Sequence, residues 1–127
     1  MRFPFFLILL VAGCATQEPA PVSEPTPTPA PAARTESIAV AGLLDGARAD
    51  AAAGRLGSAA ASLERALRIE PRNPRLWQEL ARVRLKQGDY AQAESMAARS
   101  NTWAGSDSAL RAENLRIIET ARNARGR

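Results

Sequence analysis

The chain has 127 residues, one cysteine and no histidine, with 17 Lys and Arg against 13 Asp and Glu for a formal net charge of +4. That length holds at most one small domain once the ends are discounted. Without histidine there is no Cys/His metal cluster and no Cys/His or Ser/His/Asp nucleophile, and the motifs GxSxG, GxxxxGK(S/T) and GxGxxG are absent. The acids Asp45, Asp50, Glu64, Glu79 and Glu94 are scattered as helix-surface residues are, rather than paired for glycosidic cleavage. The expectation is a non-enzyme with no cofactor and no metal. Low aromatic content with abundant alanine, leucine and arginine suits helices packed through small residues, an all-α fold.

The first residues stand apart from that domain. Arg2 precedes the apolar run Phe3 to Val11, which closes on Val11-Ala12-Gly13-Cys14: a charged start, a short greasy middle and a small-residue cleavage site. The run is too short for a comfortable membrane span. The ending V-A-G-C resembles the bacterial lipobox, so residues 1–13 read as a lipoprotein signal peptide. That resemblance implies cleavage before Cys14, diacylation of its thiol and acylation of its new amino group. Several acyl chains give lasting membrane attachment where one gives marginal binding. The only covalent group expected is therefore the lipid on Cys14, and no disulfide is available. Ala15 follows the cysteine in place of the aspartate that the lipoprotein rule associates with inner-membrane retention, which implies the outer membrane with the domain facing the periplasm. Loss of residues 1–13 removes one arginine and lowers the net charge from +4 to +3.

Residues 14–36 form the lipidated cysteine and a linker, with prolines at 19, 21, 25, 27, 29 and 31. Proline at that density favours an extended polyproline conformation with no apolar face to bury, so a disordered tether is expected. At ~3.1 Å per residue it reaches about 60–70 Å.

A helical domain is expected over 37–124. Ile38, Val40, Leu43, Leu44, Ala47 and Ala51 mark a first helix ending near Gly54. Ala59, Leu63, Ala66, Leu67 and Ile69 mark a second, from about Ser58 to Glu70, stopped by Pro71.

The stretch Asn73 to Ala98 carries the strongest pattern. Trp77, Leu80, Ala81, Val83 and Leu85 and then Ala93, Met96 and Ala97 flank Gly88-Asp89-Tyr90, giving two short helices folded back across a glycine turn. Asn73 with Pro74 supplies an N-cap and a first-position proline, and Asp89 with Gln92 an imperfect capping box. The order W-x2-L-A-x6-G-D-Y-x2-A at Trp77, Leu80, Ala81, Gly88, Asp89, Tyr90 and Ala93 resembles the tetratricopeptide repeat, a helix-turn-helix unit of 34 residues. In that register Gly54, Ala59, Leu63, Ala66 and Pro71 belong to an earlier, degenerate repeat, in which Gly46 and Asp50 stand where the family prefers large apolar residues. The resemblance places Trp77 in the core.

Ser100 to Gly105 reads as a loop by composition. Asp107 to Arg122 reads as a last helix with Leu110, Ile117, Ile118 and Ala121, and Leu115 alongside, on an apolar stripe. It is expected to cap the array, and 125–127 to fray. Tyr90 and Trp103 either pack beneath it, the favoured placement, or form an exposed aromatic contact. The expected architecture is a short solenoid of two helix-turn-helix repeats plus a C-terminal capping helix. Two repeats are near the lower limit for such an array, so weak self-association is a further expectation.

The family's groove positions, carried over, are Leu44, Arg48, Arg75, Gln78, Arg82, Leu85 and Lys86, a basic concave face with apolar spots, suited to a protein segment bearing carboxylates. Export removes nucleic acid as a partner, and no strip of aromatic and basic residues is visible. The plan of lipobox, proline-rich tether, two repeats and closing helix resembles the pseudomonad-type lipoprotein activators of class A penicillin-binding proteins, the bifunctional peptidoglycan synthases. The alternative is a pilotin-like assembly factor for an outer-membrane secretion or pilus complex.

Overall fold

In the computed structural model the described residues are 31–127, with side chains from 37 onward; the expected signal peptide, Cys14 and most of the expected tether lie outside them. Among the described residues are five α-helices: α1 (Pro31–Ala52), α2 (Leu56–Ile69), α3 (Pro74–Lys86), α4 (Tyr90–Trp103) and α5 (Ser108–Arg125). Each packs on its neighbours in sequence, and α3 also touches α1 and α5, so the odd-numbered helices share one side of the array.

The turns follow from local chemistry. Gly54 and Gly88, one 34-residue repeat length apart, both adopt positive φ, +77° and +79°. After α1, Arg55 N–H donates to the Asp50 carbonyl at 2.8 Å; after α3, Asp89 N–H donates to the Arg84 carbonyl at 2.9 Å. These are Schellman closures, in which a left-handed residue lets the chain satisfy the last free carbonyls of a helix. Asn73 Oδ1 accepts from Arg75 N–H at 3.0 Å to start α3, Asp89 Oδ1 accepts from Gln92 N–H at 3.4 Å to start α4, and Asp107 Oδ1 accepts from Leu110 N–H at 2.9 Å to start α5.

Two apolar clusters fill the interior. Val40, Ala47, Ala59, Leu63, Leu67, Leu76, Leu80 and Val83 join α1, α2 and α3, while Ala81, Ala93, Ala97, Ile117, Ile118 and Ala121 join α3, α4 and α5. Leu63 and Leu76 are the largest apolar side chains to be fully enclosed. Truncating either to alanine leaves a cavity worth about 2–5 kcal/mol.

Polar groups sew α3, α4 and α5 together. Gln78 Nε2 donates to the Leu110 carbonyl (3.2 Å) and to Asn114 Oδ1 (3.0 Å); Asn114 Nδ2 donates to Ser100 Oγ (2.7 Å) and Asn101 Oδ1 (2.9 Å); Ser100 Oγ–H donates to the Pro74 carbonyl (2.8 Å). Gln78, Ser100 and Asn114 are all buried.

The array departs from the sequence expectation at its edges. α1 begins at Pro31, six residues before the expected start of the domain. The polyproline argument ends with the last proline, and Pro31 is itself tolerated at a first helical position. The expected loop at Ser100 to Trp103 is the last turn of α4, held by the Ser100 and Asn101 bonds, and α5 runs on to Arg125.

Two apolar residues are also placed differently. Trp103 is 43% exposed, with the Arg72 guanidinium 5.2 Å from its ring centroid, instead of lying beneath α5; Tyr90 does pack into the α3–α4–α5 cluster. Leu115 is 54% exposed, outside the buried stripe of α5. Its repeat-register equivalents, Ala47 and Ala81, are 2% and 0% exposed. α5 thus stands where the first helix of a third repeat would stand, with no following helix over Leu115 among the described residues.

Candidate functional site: the groove across α1, α3 and α5

The shared side of the odd-numbered helices carries a groove of about 510 Å³, with Val83, Leu85 and Ile117 among its apolar lining. Its polar lining follows from the repeat. Arg48, Arg82 and Arg116 occupy one register position in α1, α3 and α5, and Glu79 and Glu113 occupy another, three residues earlier in α3 and α5. One helical turn separates each glutamate from its own arginine, and adjacent helices bring neighbouring pairs together.

The result is a continuous ladder of charge. Glu79 Oε1 accepts from Arg48 Nε at 3.0 Å and Nη2 at 2.8 Å, and from Arg82 Nη1 at 3.3 Å. Arg82 Nη2 lies 3.3 Å from Glu113 Oε1, and Arg116 Nη1 donates to Glu113 Oε2 at 2.9 Å. The Arg116 hydrogen bond holds the Glu113 carboxyl below its ordinary 4.5; burial opposes this and Arg82 adds to it. Three arginines against two glutamates leave one positive charge. Lys86, with no carboxylate partner among the described residues, supplies a second.

The seven expected contact residues divide. Arg48, Arg82, Leu85 and Lys86 come together in the groove. Arg75 stands at its end, in an adjoining depression with Arg48, Arg82 and Asp107. Gln78 borders the same depression but is 8% exposed, with its amide donors held by α5, so it acts as a brace rather than a free contact. Leu44 packs against the α1–α2–α3 core.

Sequence reasoning missed Glu79, Glu113 and Arg116 as groove residues. The 34-residue spacing of Arg48, Arg82 and Arg116 was the signal that could have found them. Chemically, the groove offers an apolar strip flanked by cations whose mutual repulsion is already relieved by two carboxylates. That arrangement is chemically suited to a segment bearing apolar and carboxylate side chains. No group of three or more His, Cys, Asp or Glu suited to a metal ion occurs among the described residues. No described helix is long and apolar enough to cross a membrane.

Comparison with known proteins agrees with this geometry. The tetratricopeptide repeat family matches residues 50–112, from the end of α1 into α5. Among solved structures, the globular C-terminal domain of P. aeruginosa LpoP superposes with a TM-score of 0.67 at 47% sequence identity, covering 68% of this chain and 82% of that one. Among curated proteins, no sequence matches. With paired helices closed by equivalent glycine turns and this degree of identity, the chain is built of tetratricopeptide-type repeats and belongs to the same family as the LpoP C-terminal domain.

Proposed function

We propose that this chain is a lipid-anchored module on the periplasmic side of the outer membrane that binds and activates a class A penicillin-binding protein. The observation that carries the reading is the 47% identity to the LpoP domain over most of its length. The lipobox at Cys14 and the proline-rich stretch before α1 support the same plan. Residues 15–30, extended at ~3.1 Å each, reach about 50 Å, a span suited to crossing the wall mesh toward a synthase in the inner membrane.

The domain acts by differential affinity: the groove of α1, α3 and α5 holds a segment of the synthase more tightly in its active conformation than in its resting one, and so shifts the population. Leu85 and Ile117 take apolar contacts, and Lys86 and Arg116 take carboxylates on that segment.

Glycan-strand synthesis by the purified synthase, with and without the lipoprotein, tests this. Stimulation is expected. Lys86→Glu, which breaks no ion pair among the described residues, is expected to reduce it, and Arg82→Glu to reduce it further. A synthase that runs at the same rate with and without the protein overturns the reading. Retention of a Cys14→Ser variant in the soluble envelope fraction, against membrane fractionation of the parent, checks the anchor.

A further inference from the structure

A second cleft, of about 430 Å³, lies between α2, α3 and α4. Leu67, Trp77, Leu80 and Met96 give it an apolar lining, with Arg68, Arg84 and Arg99 around them and Glu64 as its one carboxylate. At 3.6 residues per turn, Trp77, Leu80 and Arg84 fall on the side of α3 opposite Gln78, Arg82 and Lys86. The cleft is therefore separate from the ladder groove, and both can be filled at once.

Its parts are held in place. The Trp77 indole N–H donates to the Pro71 carbonyl at 2.8 Å, which fixes the ring, and the Arg99 guanidinium lies 5.1 Å from its centroid. Arg68 and Arg99 make no ion pair among the described residues. Arg84 Nη2 sits 2.6 Å from Glu64 Oε1 and Nη1 donates to Gln87 at 3.1 Å, yet Arg84 Nε is enclosed with no acceptor. A buried donor without a partner is costly, and an incoming carboxylate that displaced Glu64 and drew the guanidinium outward would recover the missing bond.

We propose that this cleft is a second protein-binding site, which takes a peptide segment with one large apolar side chain flanked by aspartates or glutamates. The apolar side chain enters among Leu67, Trp77 and Met96. The flanking carboxylates meet Arg68, Arg84 and Arg99, three cations against the single Glu64. Guanidinium groups suit this role because they are weakly hydrated and present a forked donor edge, and that of Arg99 is stacked on the Trp77 ring. The site is independent of the groove reading, since it shares none of the lining residues named there.

The test uses the full-length chain in detergent micelles with its two tryptophans as reporters. The probe is a synthetic peptide with one phenylalanine flanked by aspartates. A control peptide carries lysines in their place, and phosphatidylglycerol vesicles form a separate arm. Saturable movement of the Trp77 indole N–H resonance, with Trp103 unmoved, is expected for the acidic peptide alone. Arg68→Glu with Arg99→Glu is expected to weaken binding by about tenfold or more, and Lys86→Glu to leave it unchanged. Arg68→Gln with Arg99→Gln gives the same direction of change should the charge reversal disturb helicity by circular dichroism. Equal binding of the lysine peptide, no saturation at millimolar peptide, a Trp77 response to the vesicles alone, or sensitivity to Lys86→Glu instead of the arginine pair each overturns the proposal. None of these outcomes depends on whether a synthase is stimulated.

Discussion

Arg48 of α1 and Glu79 of α3 meet through two hydrogen bonds, 3.0 Å from Nε and 2.8 Å from Nη2, onto the same carboxylate oxygen that Arg82 also reaches. This one contact ties the less regular first repeat to the second across the groove. The Arg48 side chain is 49% exposed, so the pair is screened, and its worth lies within about 0–1 kcal/mol. A double-mutant cycle of Arg48→Ala and Glu79→Ala by urea denaturation is expected to give a coupling energy in that range. Glu79→Gln is expected to leave the fold intact while making the groove more positive, seen as a steeper salt dependence of partner binding.

Asn114 is the costlier position. Asn114→Ala leaves the Gln78 amide and the Ser100 hydroxyl short of partners in the interior. The expected loss is about 1–3 kcal/mol, read as a lowered midpoint of thermal unfolding. Asn114→Asp is expected to be at least as damaging, since it buries a charge and cannot donate where Nδ2 now does.

Acid should weaken the ladder at Glu113. Its folded carboxyl titrates below its ordinary 4.5 because Arg116 hydrogen-bonds to the charged form, so the contribution is complete above the unfolded value and is lost as pH falls through the folded one. Chemical denaturation below about pH 5 is expected to show a shallower decline for Glu113→Gln than for the parent, with the same slope near neutrality.

Gly54 and Gly88 should tolerate substitution poorly. A Cβ at either position meets nothing within 4 Å, so the penalty is purely conformational, from φ of +77° and +79°. Each alanine substitution is expected to cost about 1–2 kcal/mol. Gly46→Ala, in the interior of α1 with equally open space, is expected to stabilise by about 0.5–1 kcal/mol.

Much of this was legible in the residues because it is local. Asn73, Asp89 and the glycine turns act within a few positions of themselves, and the structure places each where short-range chemistry requires. What escaped was tertiary. Ser100 and Asn101 look like loop formers, yet Asn114 bonds to both from another helix, and the Pro74 carbonyl takes the Ser100 hydroxyl. Gln78 resembles a groove contact until α5 is in place to claim its amide. Part of this was within reach, since Ser100 and Asn114 occupy the repeat positions of Ala66 and Leu80, both enclosed. Polar residues at positions that bury apolar ones point to a hydrogen-bonded core. Trp103 was misplaced because a large aromatic near a helix end satisfies either a core or a cation, and Arg72 supplied the cation.

Among the described residues, Leu115 leaves the array with a growing point. Where Ala47 and Ala81 are roofed by the helix that follows, Leu115 looks out at water. Grafting a copy of residues 88–103, the glycine turn and α4, directly after Ala121, the register equivalent of Gln87, would complete a third unit around a leucine already in position. The elongated protein should melt at a higher temperature while the ladder of Arg48, Glu79 and Arg82 keeps its shape.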